Sequence, residues 1–197
     1  MERLSRKQAL NPTDCFGGLR LNRQMAPETE DAARAALFWC ELQAAARAVR
    51  EETDAVAGLR AIGAAMDRLI GSRMFTFLRF DLERFEMERL HCTLPERYPV
   101  GARKPMRRGA WGECVMDRGE VFIARGVEEM RATFGDYTAL AEFGCSGSMC
   151  VPVRYLGRTL GTMNLNGDAA SYGPETGALA LPFASLAVPA FLTLGRS

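Results

Sequence analysis

Thiols and one imidazole are the side chains of this sequence best suited to covalent or metal chemistry. The 197-residue chain holds six cysteines but a single histidine, His91. Zinc and iron sites that need two histidines are therefore excluded. The cysteines form no C-x-x-C pair, so a structural zinc site is not expected either. No candidate acid or base pairs with His91, and it is left out of the predicted site.

Three cysteines, Cys114, Cys145 and Cys150, are the candidates for thiol chemistry. A thiolate can attack an electrophilic sulfur, and a second cysteine can then resolve the intermediate. The alternative is structural, with Cys150 a buried strand residue and Cys145 a small loop residue, because cysteine packs well in cores. Nothing in the sequence indicates a lowered thiol pKa, so the structural interpretation is favoured.

A second set of residues combines aromatic side chains with a few polar groups, as a small-molecule pocket requires. The predicted ligand-binding residues are Phe77, Arg79, Trp111, Phe122, Tyr137, Phe143, Met149 and Asn164. Arg79 is suited to holding a carboxylate through two hydrogen bonds. The alternative is that the aromatic residues only pack a chain segment onto a sheet. Strand alternation puts Phe77 and Arg79 on one face, without saying which.

The overall charge is close to zero, with 25 basic and 24 acidic residues and a net charge of +1. This balance argues against general nucleic-acid or membrane-surface binding, and neither partner is expected. The basic run over residues 103–108 has no interleaved aromatic residue and is interpreted as a solvated loop. The sequence shows no secretory signal and no uninterrupted transmembrane segment. These features predict a cytoplasmic protein with reduced thiols.

Two helices are predicted ahead of the first strand, after a flexible tail over residues 1–27. Apolar residues recur at three- and four-residue spacing over about 28–50 and again over about 54–70. Phe38 and Trp39 widen the apolar face of the first helix. This favours a homodimer contact over residues 28–53, and complete burial within the chain is the alternative.

Strand patterns form two hairpins that a long irregular insert separates. Residues 74–80 are apolar on both faces, as in a central strand, and residues 85–93 alternate. Residues 148–155 and 159–166 form the clearest hairpin, and hairpin strands pair antiparallel. A final apolar helix follows Pro174, and Pro182 is predicted to kink or break it.

This order of elements predicts one α+β domain over residues 28–197. Its sheet is antiparallel with five or six strands, and the helices must cover one face to bury their apolar stripes. The insert is predicted to contain short helices and a short strand, and it is left to cover the other face. Long structured inserts are usually functional, so the ligand is expected there.

The closing hairpin resembles the GAF domain family. Residues 144–166 combine a serine-containing loop, a Cys-Val-Pro-Val strand, a Gly-Arg turn and a Gly-Thr-Met-Asn-Leu strand. Residues 73–80, 109–115 and 119–123 are similar to the first strand, the small-residue segment and the third strand of that family. The resemblance covers about residues 54–194. It implies a GAF/PAS-like sheet with helices on one face and a ligand pocket on the other.

The resemblance implies a sensory or regulatory module that binds a small molecule and has no catalytic activity, fixed cofactor or metal. The ligand is unidentified, because the signature of cyclic-nucleotide-binding members is not found and His91-Cys92 lies in the wrong element for a phytochrome chromophore. One alternative is a thiol-dependent reductase resembling free methionine-(R)-sulfoxide reductase, with Cys114, Cys145 and Cys150 as its thiols. The other alternative is a protein-interaction module that dimerises.

Overall fold

The computed structural model describes residues 27–194, so the predicted tail, apart from residue 27, lies outside the described residues. The helices are α1 (Pro27–Glu51), α2 (Ala55–Leu69), α3 (Ala110–Gly112), α4 (Gly126–Thr133), α5 (Tyr137–Glu142), α6 (Pro174–Leu186) and α7 (Val188–Leu194). The strands are β1 (Met74–Asp81), β2 (Glu86–Cys92), β3 (Arg103–Pro105), β4 (Phe122–Arg125), β5 (Gly147–Tyr155) and β6 (Arg158–Gly167).

The six strands form one sheet in the order β3-β2-β1-β6-β5-β4, and every neighbouring pair is antiparallel. The long central strands β1 and β6 are joined by the two hairpins to β2 and β5. The predicted α+β fold with an antiparallel sheet is therefore confirmed, with six strands in the described part of the chain.

Helices α1, α2, α6 and α7 lie on one face of the sheet, as the order of elements predicted. Asp54 caps α2, because its carboxylate accepts a hydrogen bond from the Val56 amide at 3.0 Å. Leu59, Ile62 and Met66 of α2 are buried against the apolar residues of the sheet, which include Phe75, Phe77, Met149, Val151, Met163 and Leu165. Burial of this apolar surface is the main stabilising contribution to the fold.

The insert lies over the other face. It contains β3, β4, α3, α4, α5 and a π-helical turn at Glu113–Arg118 that continues α3. Phe122, Phe134, Tyr137 and Phe143 pack there around a second set of buried residues that includes Met74, Cys92, Met130 and Leu140. Packing on this face is less continuous than on the helix-covered face, and it leaves room above the centre of the sheet.

A β-bulge in β2 decides which of its side chains face the insert. Phe77 pairs with His91 and Leu78 pairs with Arg89, so Leu90 is an extra residue between the two pairs. A bulge of this kind changes the direction in which the following side chains point. His91 therefore lies near the Phe75 ring on the helix-covered side, with ring centroids 6.3 Å apart. Arg89 faces the insert.

Two sequence-based expectations need correction. The basic run over 103–108 is not only a solvated loop, since Arg103–Pro105 forms the edge strand β3. The last helix does not break at Pro182, which lies inside α6. The chain bends by 46° between α6 and α7, at Ala187. Proline lacks only one donor and its ring clash acts on the preceding turn, so neighbouring packing decides whether a helix continues.

No single helix within residues 27–194 is long and apolar enough to cross a membrane. The bent pair formed by α6 and α7 meets that test by length and composition alone. Ala180, Phe183, Ala184 and Phe191 of this pair are buried in the helix-covered core.

Gly161 of β6 should be required for the pairing of β1 with β6. A Cβ atom at this position would overlap the Leu78 carbonyl oxygen and lie 2.6 Å from the Phe191 ring. Gly161→Ala should lower the free energy of unfolding by about 1–3 kcal/mol, because the neighbouring backbone must move. Urea denaturation measures this change.

Gly58→Ala is the matched control. Gly58 lies inside α2, and a Cβ atom there would make an ordinary contact at 3.5 Å with Val49 of α1. The substitution should therefore raise the free energy of unfolding by up to about 1 kcal/mol. Equal stability of the two variants would contradict the assigned register of β6.

Candidate functional site

A cavity of about 400 Å³ lies between the sheet and the insert. Its floor is formed by residues of β1, β5 and β6 that point away from the helices. Its walls come from β2, β3, α5 and the segments around Tyr98, Trp111 and Phe134. The volume lies in the range of about 300–1,000 Å³ that is typical of small-molecule sites.

The floor of the cavity is polar at the centre of the sheet. Strand register places Cys150, Asn164 and Thr76 side by side on β5, β6 and β1, and Ser148 beside Asn166 in the next row. All five side chains line the cavity and are buried. The alternation of side chains therefore gives the central strands an apolar face below and a polar face above.

Four side chains that line the cavity carry a buried polar atom without a hydrogen-bond partner in the described chain. These atoms are Thr76 Oγ1, Arg89 Nε, Tyr98 Oη and Asn164 Nδ2. The Trp111 indole N–H, also at the cavity, faces the Cys150 thiol. Buried polar groups of folded proteins nearly always have a partner, so four such atoms around one cavity call for an explanation. Burial also raises the pKa of Tyr98 to about 12, which keeps its hydroxyl protonated.

The Arg89 side chain is only 7% exposed. Its Nη1 donates a hydrogen bond to the Pro99 carbonyl at 3.3 Å, and its guanidinium lies 5.1 Å from the centre of the Tyr98 ring. The backbone of Arg89 is bonded to Ala102 and Gly101 at 3.0 and 2.8 Å. These contacts fix the guanidinium in the cavity wall.

The rim of the cavity is charged. Lys104 of β3 lies 3.7 Å from the Asp136 carboxylate, which joins β3 to the segment between α4 and α5. Arg107 packs closely on Gly135: a Cβ atom added to Gly135 would lie 2.6 Å from Nη2 of Arg107. The predicted basic run therefore contributes three residues to the cavity, Lys104, Pro105 and Arg107.

Of the eight predicted ligand-binding residues, Trp111 and Asn164 line the cavity. Phe122, Tyr137 and Phe143 pack in the adjoining cluster of the insert and do not line it. Phe77 and Met149 lie on the opposite face of the sheet, in the helix-covered core. Alternation groups Phe77 with Arg79 without saying which face a ligand would meet, and Met149 is predicted in the pocket only because it lies near the junction of the insert with the sheet.

Arg79 also lies away from the cavity. Its Nη2 donates to the Glu88 carboxylate, and the side chain lines a second pocket, of about 380 Å³, beside Phe80 and Leu160. The carboxylate that the sequence led us to expect beside Arg79 is thus supplied by the protein itself. The arginine of the cavity is Arg89, which the sequence interpretation missed together with Tyr98, Lys104 and Arg107.

The candidate thiols are buried. Cys150 lines the cavity, Cys114 lies 3.6 Å from the Val121 carbonyl oxygen, and Cys145 packs in the cluster of the insert. Burial raises the pKa of Cys150 to about 11, and it also raises the pKa of Cys92, Cys114 and Cys145. A raised pKa leaves little of the reactive thiolate at neutral pH.

The single histidine is buried on the helix-covered side. Burial and the nearby charge of Arg60 lower the pKa of His91, so its imidazole is neutral at pH 7. No group of three or more His, Cys, Asp and Glu side chains that could hold a metal ion occurs among residues 27–194.

The sequence profile of the GAF domain matches residues 52–191. No match is found among curated proteins. The GAF domain of a phosphoenolpyruvate-protein phosphotransferase from Coxiella burnetii is similar in structure, with a TM-score of 0.66 and 17% identity. The alignment covers 82% of this chain and 96% of that one.

Two further solved structures share the fold. The free methionine-R-sulfoxide reductase of Neisseria meningitidis, solved in complex with its substrate, has a TM-score of 0.60 and 19% identity over 90% of this chain and 98% of that one. The chromophore-binding domain of the Stigmatella aurantiaca bacteriophytochrome has a TM-score of 0.57 and 13% identity over 89% of this chain and 64% of that one. At these identities the likeness concerns the fold.

The buried thiols should be unreactive in the folded protein. In a Cys15→Ser/Cys40→Ser variant, which retains Cys92, Cys114, Cys145 and Cys150, iodoacetamide at pH 8 should alkylate the native protein far more slowly than the urea-unfolded protein, because burial keeps these thiols protonated. Mass spectrometry of the time course measures the rate. Rapid labelling of Cys114 or Cys145 in the folded variant would support thiol catalysis instead.

The same pKa shift predicts a loss of stability at alkaline pH. The folded-state pKa of Cys150, about 11, lies above its ordinary value of 9.0, so the unfolded chain loses this proton first. The free energy of unfolding should therefore fall as the pH rises from about 9 towards about 11. Cys150→Ala should show a smaller fall than the parent in urea denaturation, and equal slopes would contradict the shift.

Proposed function

This chain belongs to the GAF domain family, and we propose that it is a regulatory module that binds a small molecule in the cavity between its sheet and its insert. The observation that carries the proposal is the set of four side chains that line the cavity and each carry a buried, unpartnered polar atom. An unpartnered buried polar group costs about 1–3 kcal/mol, so a structure tolerates several of them where a ligand supplies the partners.

The composition of the lining supports the same proposal. Met74, Leu78, Met87, Phe134 and Leu140 supply apolar surface, and polar side chains lie on the floor, the walls and the rim. This combination is typical of sites in which apolar contact gives affinity and a few hydrogen bonds give specificity.

The proposed regulatory readout follows from the segments that a ligand would join. β3 and the segment around Asp136 contact each other through one ion pair at the rim, and a ligand would tie both to the centre of the sheet. A ligand shifts a conformational equilibrium only when it binds one state better than the other. Contacts to both rim segments would favour the state in which the two segments are held together. The fold is shared with a bacteriophytochrome domain that is described as chromophore-binding, which supports a sensory role.

The reductase alternative receives support from the fold that this chain shares with the reductase of Neisseria meningitidis and from the position of Cys150 at the cavity. The raised pKa of all four thiols considered weighs against it, because sulfoxide reduction needs a thiolate. We therefore propose binding without catalysis. The cytoplasmic location and the homodimer through α1 stay predictions.

Two threonines provide a matched test of the proposal. Thr76 and Thr162 are both buried, and the hydroxyl of each is unpartnered, but only Thr76 lines the cavity. Replacing either with valine should raise the stability of the protein by about 1 kcal/mol, because an unpaired buried hydroxyl is removed. Only Thr76→Val should weaken ligand binding.

Binding can be followed at the indole N–H resonances, since the chain has two tryptophans, Trp39 and Trp111. A library of small organic acids, amides, amines and nucleosides should include compounds that shift the Trp111 resonance and leave that of Trp39, which is 59% exposed on α1, unchanged. Failure of the entire library to shift Trp111 would contradict the proposal. So would equal effects of the two threonine variants on binding.

A further inference from the structure

We infer that the ligand of this cavity is a small organic anion, a monocarboxylate with an apolar body, whose carboxylate pairs with Arg89. This inference rests on the proposed function, because it names the chemical class that the same cavity would take. It depends on the charge and hydrogen-bond requirements of the lining residues, and it makes no use of the thiols.

The first argument is the burial of an unpaired charge. Two charged side chains are buried within residues 27–194, those of Glu41 and Arg89. Glu41 accepts two hydrogen bonds at 2.7 Å from Arg68, which compensates its burial. Arg89 forms no ion pair with a carboxylate in the described chain. A buried charge without a counter-charge is strongly unfavourable, so the cavity beside Arg89 is suited to an anion.

The second argument is the orientation of the Arg89 guanidinium. The Tyr98 ring covers one side of it, and Nη1 is engaged by the Pro99 carbonyl. Its Nε has no partner among the described residues. A guanidinium binds a carboxylate through adjacent N–H groups in a fixed geometry. Because the bulge at Leu90 and the bonds of the Arg89 backbone hold the side chain in place, little freedom is lost on binding.

The third argument is an excess of hydrogen-bond donors. Arg89 Nε and Asn164 Nδ2 can only donate, and the hydroxyls of Thr76 and Tyr98 can donate as well. A ligand that satisfies these groups must be rich in acceptors. A carboxylate offers two oxygens with about four lone-pair sites and no donor, whereas an amine offers donors and adds a like charge.

The fourth argument concerns the rim and the apolar wall. The charged residues that line the cavity are Arg89, Lys104, Arg107 and Asp136, three cations against one carboxylate. Asp136 is already paired with Lys104, so the remaining field attracts an anion. The apolar residues of the wall would leave a bare inorganic anion without complementary contacts, which favours an apolar body on the ligand.

The test compares acids with amides of the same shape. The probes are hexanoate with hexanamide and phenylacetate with phenylacetamide, and inorganic phosphate serves as an anion without an apolar body. Each is titrated into the full-length protein at pH 7, and the Trp111 indole resonance is followed with that of Trp39 as the internal reference. Each acid should bind about tenfold or more tightly than its amide, since a charge-assisted bond is lost in the amide. Added salt should weaken only the acids.

Two arginine variants locate the effect. Arg89→Met should abolish acid binding while the fold is retained, because replacing a buried charge with an apolar side chain of similar size is often tolerated. Arg97→Met is the control, since Arg97 is exposed, lies over the Phe143 ring at 5.6 Å and does not line the cavity. It should bind the acids as the parent does. Arg89→Lys, which keeps the charge without the guanidinium, provides a second variant and should bind them more weakly.

Four outcomes overturn the inference. Equal affinities of an acid and its amide, or unchanged acid binding by both Arg89 variants, would show that the ligand is not held through its charge. A response to phosphate as strong as the response to the acids would show an inorganic-anion site. Absence of any Trp111 shift up to the solubility of both acids would also overturn it. In each case the proposed function survives if any organic compound of the library binds at Trp111 and Thr76→Val weakens that binding more than Thr162→Val does, and it fails otherwise.

Discussion

The antiparallel pairing of β1 with β6 is the constraint on which the remaining structure depends. Both strands lie at the centre of the sheet and are covered on both faces. Their side chains therefore alternate between the face covered by the insert and the face covered by the helices. Phe75, Phe77, Met163 and Leu165 fill the helix-covered side. The same register places the polar residues of these strands together above it. A change of one residue in register would exchange the two sets.

The polar side of this pairing makes the cavity costly for stability. Thr76 and Asn164 are direct neighbours across the two strands, and both keep an unpartnered atom. An apolar pair at these positions would pack with less penalty. The proposed ligand would offset this cost, and a loss of stability in favour of function is common at binding sites.

Much of the fold could be predicted from the sequence, because apolar spacing indicates helices and strands directly. The site could be predicted only in part. Alternation puts Phe77 and Arg79 on one face but does not say which face the helices cover. Arg89 is not found from the sequence because it lies next to a β-bulge, and the alternation of residue types does not reveal a bulge. The edge strand β3 is not predicted either, since three residues are too few to show a period.

The scarcity of reactive groups takes on a clearer meaning in the structure. His91 is neutral and buried among aromatic residues, and burial raises the pKa of the thiols instead of lowering it. The side chains that line the cavity include hydrogen-bond donors and the guanidinium of Arg89. Groups of this kind suit the binding proposed above.

The most direct measurement is a crystal structure of the protein grown with hexanoate. The geometry described above predicts density for the acid in the cavity, with a carboxylate oxygen at about 3 Å from Arg89 Nε and within hydrogen-bond distance of Asn164 or Trp111. A cavity closed by side chains, with Arg89 paired to a carboxylate of the protein itself, would contradict the central claim.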